Sequence, residues 1–144
     1  MKLLISEVLQ KVSNAKTKAA KVKLLREHNT PALRSVLIIN YDESVISLLP
    51  VGDVPYEVND APAGTEHTKL EHEYRKLYLF FKGGSNSIKQ SKREDLFIQM
   101  LEGLHKSEAT LLILSKDKDL QKKYKVTKAV VTESFPEIQW GGRS

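Results

Sequence analysis

The apolar residues of the first third recur at helical spacing, and capping residues cut them into separate helices. Leu4, Ile5, Val8, Leu9 and Val12 share one face of a helix. Asn14-Ala15 ends it. Thr17 predicts the N-cap of a second helix through Glu27, with Val22, Leu24 and Leu25 inward. Thr30-Pro31 marks a sharper start: Thr caps exposed amides, and Pro in the first turn loses no hydrogen bond. A third helix then runs to about Asn40 through Leu33, Val36, Leu37 and Ile38. The run Val36 to Ile39 also suits a strand, but no turn or partner strand lies beside it. Asp42 predicts the cap of a short fourth helix ending before Pro50.

Residues 50–65 break the pattern. Pro50, Gly52, Pro55, Pro62 and Gly64 interrupt any regular element, and the charged residues there are all acidic. Loops longer than about 12 residues are usually functional or mobile, although a spacer that clears a bend is the plainer alternative. Each flanking half is too short for a good core, so the segment interrupts one domain, residues 1–140, with 141–144 as a tail.

Helical spacing resumes from about Glu66 to Lys82, with Leu70, Tyr74, Leu77, Tyr78 and Phe81 inward and Gly83-Gly84 as the terminator. Lys92 to His105 predicts a further helix that buries Leu96, Phe97, Met100, Leu101 and Leu104. Ser107 caps Glu108 to Ser115, Thr127 caps a last helix, Pro136 stops it, and Ile138 and Trp140 fold back. The expectation is an all-α compact single domain of about seven or eight helices.

Composition narrows the function classes. The 144 residues are 40% apolar and 28% charged, and none is cysteine, which excludes disulfides, thiolate catalysis and cysteine-ligated zinc. No apolar run approaches the roughly 18 residues a membrane span needs, so a cytoplasmic location is expected, with no membrane partner. Charge is segregated. Met1 to Arg34 carries eight bases and two acids, Ser35 to Thr68 six acids and no base, and Lys69 to Ser144 fifteen bases and ten acids. A polyanion is attracted to the ends and repelled by the middle.

Catalytic motifs are absent: there is no phosphate-binding Gly-Lys-Ser/Thr loop, dinucleotide Gly-x-Gly-x-x-Gly turn or Gly-x-Ser-x-Gly elbow. Gly83 to Ser87 matches a phosphate-cradling turn in composition only. His67 and Glu71 share a helix face near His72, but the spacing is not His-Glu-x-x-His and no distant third ligand is evident. Solvated carboxylates at a helix start explain this cluster better, so no metal, cofactor or catalytic residue is expected. His28 and His105 sit near helix C-termini, where a structural role is the default. The bases are more informative: Lys16, Lys18, Lys21, Lys23 and Arg26 crowd the second helix, and Lys116, Lys118, Lys122, Lys123, Lys125 and Lys128 crowd the approach to the last. Lysine meets phosphate as a point charge, which favours backbone contact over base readout; a merely solvated surface is the competing account.

The order of elements resembles the N-terminal helical DNA-binding domain of ATP-dependent DNA ligases, in its compact phage form. Leu4-Ile5-Ser6-Glu7-Val8, Lys18 to Leu25 and His28-Asn29 are similar to that domain's first two helices, and Pro31 to Tyr41 to its third. Arg93, Phe97, Glu108 to Leu112, Leu120, Val126 to Val131 and Phe135-Pro136 carry the closing part. The resemblance implies a module that holds duplex backbone across the minor groove with little sequence preference. Lys18, Lys21, Arg26, Lys116, Lys118, Lys122, Lys123 and Lys128 would then meet phosphates, and Gly83 and Gly84 would allow close approach. The Lys-x-Asp-Gly motif that ligases adenylate is missing, so the implied module lacks the enzyme. Residues 59–66, Tyr74 to Tyr78 and Lys92 to Phe97 also resemble a family of small uncharacterised phage proteins, which implies a viral source and a host-cytoplasmic location. The acidic segment 50–65 leaves open a second function, a protein-interaction module acting on replication or transcription machinery.

Overall fold

A computed structural model describes residues 3–59, 61–62 and 67–143. Its elements are α1 (Ile5–Asn14), α2 (Lys18–Glu27), α3 (Pro31–Tyr41), α4 (Leu70–Glu73), a 3-10 stretch (Tyr74–Phe80), α5 (Gln90–Gly103), α6 (Lys106–Lys116), a 3-10 turn (Leu120–Lys122) and α7 (Lys128–Ser134). The domain is all-α; two isolated bridges, Ser47 with Phe81 and Thr68 with Leu104, are the β-type pairings among the described residues.

Local chemistry sets the helix starts. The hydroxyls of Thr17, Thr30 and Thr127 accept the amides of Ala20, Leu33 and Val130, each occupying a first-turn donor that the helix itself leaves unpaired. Pro31 stands in the first turn of α3. The α1 stripe Ile5, Val8, Leu9 and Val12 is buried, as is Val22 with Leu25 on α2. α3 packs on α6, where Val36, Leu37, Leu111 and Leu112 are all fully buried. Each such side chain contributes roughly 1.5–3 kcal/mol of transfer free energy.

Glu108 ties three helices together from inside this core. Its side chain is fully buried, and its two oxygens accept the first-turn amides of α1 and α4, from Ile5 at 3.1 Å and Leu70 at 3.2 Å. Burial raises its carboxyl above the usual range, opposed by those two amides. The Ser6 and Ser107 hydroxyls meet at 2.8 Å beside it.

Four local expectations are corrected. Asp42 starts no helix: it closes the C-terminus of α3, residues 42–50 form turns and a bridge, and its carboxylate faces Ser44 and the C-terminal segment. The segment expected as one helix to Lys82 is a single α turn that tightens to 3-10, while Glu66 lies outside the described residues. At three residues per turn, Leu77 and Phe80 face inward, and Tyr78 is left exposed. Gly83 therefore ends no α-helix; with φ +88° it closes a turn after Phe81 has become extended. His105, not Ser107, is the N-cap of α6: its Nδ1 accepts the Ser107 amide at 3.1 Å, and Ser107 lies inside the helix's first turn.

The described part of 50–65 is irregular but anchored. The Glu57 amide donates to a Glu102 oxygen at 2.9 Å, and the Gly52 amide donates to Asp117 at 2.9 Å. Asp60 and residues 63–65, including Gly64, lie outside the described residues.

Candidate nucleic-acid interface

Two basic segments far apart in sequence meet on one face. α2 packs against α7, and the last turn of α1 closes onto the segment before α7, where the Lys125 amide donates to the Ser13 hydroxyl at 2.8 Å. Lys21 reaches across and donates its ammonium to the Lys125 carbonyl. Arg26 donates to the Glu133 carbonyl at 2.9 Å and to the Ser134 carbonyl at 3.4 Å, lying over the C-terminal end of α7. These contacts use carbonyls, so they orient the cations without cancelling their charge.

The remaining cations of these two segments point to solvent. Lys16, Lys18, Lys23, Lys122, Lys123, Lys125 and Lys128 are all exposed. Lys18 pairs with Glu133 at 3.3 Å and Lys122 with Asp119 at 3.3 Å, both mostly exposed pairs that a phosphate can displace. Lys123 stands 5.8 Å from the Tyr124 ring centre and Lys128 5.0 Å from that of Trp140, the chain's single tryptophan.

Two of the expected phosphate contacts are turned inward. The Lys116 side chain is fully buried, donating to the carbonyls of Pro50 at 2.9 Å and Gly52 at 3.0 Å and pairing with Asp117 at 2.8 Å. All three ammonium protons are used, so Lys116 pins the acidic segment and cannot meet DNA. Lys118, at a positive φ of 59°, donates to the carbonyls of Ile39 at 2.8 Å and Asp42 at 2.7 Å. Burial lowers its ammonium from the usual lysine range, against the pull of Asp42 and Glu43. Gly83 and Gly84 lie beside the 3-10 stretch, in a separate cleft with Tyr78 and Lys82. Of the expected residues, Lys18, Lys21 and Arg26 lie on α2 where it packs against α7, and Lys128 opens α7; Lys122 and Lys123 are exposed on the segment leading into α7, while Lys116, Lys118, Gly83 and Gly84 are not part of this surface.

A residue the sequence reading missed closes the far side. Arg143 pairs with Asp42, whose other donors are the Gly141 amide at 3.0 Å and the Ser44 amide and hydroxyl at 2.9 and 2.7 Å. Burial alone would raise Asp42; the hydrogen bonds of Ser44, Gly141 and Arg143 outweigh it and hold the carboxyl at about 2. Among the described residues, which do not include Glu66, no group of three His, Asp or Glu side chains is placed to hold a metal. His67 instead packs edge-on against His105, with ring centres 5.2 Å apart, and bonds through Nε2 to the Ala61 carbonyl at 2.8 Å. No helix among the described residues is long and apolar enough to cross a membrane.

Fold and surface together define a single-domain, all-α protein with one clustered basic face. The chain belongs to a family of unknown function, DUF6433, whose profile matches residues 8–122. No curated protein and no solved structure matches it. The family match runs from within α1 through the 3-10 turn and ends at Lys122, so Lys123, Lys125 and Lys128 lie beyond it.

Proposed function

We propose that this protein is a non-catalytic binder of duplex DNA that grips the phosphate backbone with little sequence preference. The observation that carries the reading is the packing of α2 against α7, with Lys21 reaching the Lys125 carbonyl in the lysine-rich segment that leads into α7. Lysines dominate the face, so it offers point charges to phosphates rather than the forked donors that read guanine edges. The resemblance to the DNA-grasping domain of phage ligases supports the same function and a viral source. The test is a titration of labelled nicked and intact duplexes with the wild-type chain and a Lys122→Glu/Lys123→Glu variant. Both duplexes should bind alike, and the variant should lose about tenfold or more in affinity for each, because charge reversal removes phosphate contacts irrespective of sequence. Equal affinity of variant and wild type would overturn the reading.

A second reading, recruitment of a protein through segment 50–65, is favoured by Val51, which is 86% exposed beside the acidic residue Asp53. Its test is Val51→Asp. That change should abolish capture of a protein partner and leave duplex affinity unaltered, and unchanged capture would refute it.

A further inference from the structure

A cleft of about 450 Å³ opens between the C-terminal half of α3, the 3-10 stretch and Gly83-Gly84, away from the face formed by α2 and α7. Its lining includes Tyr74, Tyr78 and the three cations Arg75, Lys82 and Arg143, and no carboxylate. Arg143 is paired with Asp42, but Arg75 and Lys82 enter no ion pair among the described residues. The cleft is therefore complementary to an anion.

It also offers a flat apolar surface. Tyr78 is 55% exposed, the one aromatic side chain left open among the described residues. It stands on a fixed backbone. The Leu48 amide donates to the Phe80 carbonyl at 2.9 Å, the Lys82 amide to the Ile46 carbonyl at 2.9 Å, and buried Arg93 donates to the carbonyls of Leu79 at 2.9 Å and Ser85 at 3.0 Å. Gly84 sits so close beneath that a Cβ there would lie 2.0 Å from the Tyr78 carbonyl oxygen, so only glycine lets the turn close under this ring. Beside it Arg75 lies 5.7 Å from the Tyr74 ring centre, the arrangement by which arginine extends an aromatic platform.

An open aromatic face next to unpaired cations matches a ligand that joins a planar ring to a negative charge. A nucleotide does this in one unit, whereas an acidic peptide brings charge without a ring at each residue. We propose that this cleft takes up one unstacked nucleotide of a single-stranded nucleic acid, its base on Tyr78 and its phosphate drawn to Arg75 and Lys82. The site is separate from the α2 and α7 face and uses stacking, which duplex backbone contact does not.

The experiment measures binding of a fluorescein-labelled oligothymidylate and of an abasic oligonucleotide of equal length, with unlabelled duplex measured in parallel. Tyr78→Ala should weaken oligothymidylate binding about tenfold, the scale of one base–aromatic stack. Tyr78→Phe should retain it, and Lys82→Glu should weaken it without touching the ring. Abasic binding should be insensitive to Tyr78, and duplex affinity should be unchanged in Tyr78→Ala. Equal oligothymidylate affinity in wild type and Tyr78→Ala overturns the proposal, as does abasic binding as tight as oligothymidylate. So does Tyr78-dependent binding of a glutamate–tyrosine copolymer in preference to oligothymidylate, which would make the ligand a protein. The readouts separate the two sites: Lys122→Glu/Lys123→Glu tests the duplex face, and a failure there leaves the dependence on Tyr78 standing.

Discussion

Asp42→Asn offers a stringent test of how the C-terminal segment is held. One Asp42 oxygen accepts the Ser44 amide and hydroxyl, and the other accepts the Gly141 amide and Arg143. Asparagine keeps one acceptor but turns an NH2 group toward Gly141 and Arg143, leaving donors facing donors. The side chain is 2% exposed, so solvent screens little of this network. Moving the carboxyl from its ordinary 3.8 to about 2 corresponds to about 2.5 kcal/mol of stability at roughly 1.36 kcal/mol per pH unit. Because the folded-state value lies below the unfolded one, this contribution is complete above the ordinary value. It declines as pH falls from about 4 toward 2 and is absent below. Urea denaturation at pH values between about 7 and 2 should therefore show a gap of about 2.5 kcal/mol between wild type and variant at neutral pH, closing toward the acid end. With a slope of ~1–3 kcal/mol per molar, the neutral midpoint shift is about 0.8–2.5 M. A gap that is absent at neutral pH, or one that stays constant down to the acid end, would refute the network as described.

Other substitutions separate structural from ligand-binding charges. Lys116→Met should destabilise the fold by about 2–4 kcal/mol, since it strands the carbonyls of Pro50 and Gly52 and the Asp117 carboxylate, yet keep duplex affinity within about twofold. A chemical-denaturation curve and a duplex titration on the same preparation check both halves. Glu108→Gln should cost about 1–3 kcal/mol, because one of the amides of Ile5 and Leu70 loses its acceptor. Hydrogen exchange at those two amides should report the loss, and unchanged protection there would count against the tie.

Much of the fold was legible because its signals are local. Thr17, Thr30-Pro31 and Thr127 act on amides within three residues, and the α1 stripe needs only helical spacing. The misreadings share a cause. Asp42 has the composition of a helix cap, but its Gly141 partner comes from the other end of the chain. Tyr78 and Phe80 exchange places because the chain tightens from α to 3-10 after Glu73, where Arg93, a residue of the next helix, holds the Leu79 carbonyl. The lysines show the same limit at the candidate site. Lys116 and Lys118 are indistinguishable in sequence from Lys122 and Lys123; what buries the first pair is a set of acceptors at Ile39, Asp42, Pro50 and Gly52. Segregated charge marks out the basic segments, but side-chain type alone does not reveal which ammonium groups reach solvent.

The salt dependence of duplex binding tests the central claim most directly. Trp140 beside Lys128 supplies an intrinsic fluorescence signal on the proposed face. If about five phosphates are neutralised by the exposed cations there, the logarithm of the affinity should fall with the logarithm of salt at a slope near −4.5, a loss of about 500-fold between roughly 50 and 200 mM. Lys122→Glu/Lys123→Glu should make that slope shallower by about 2. A slope near zero, or one identical in the variant, would contradict the assignment of this face to the DNA backbone.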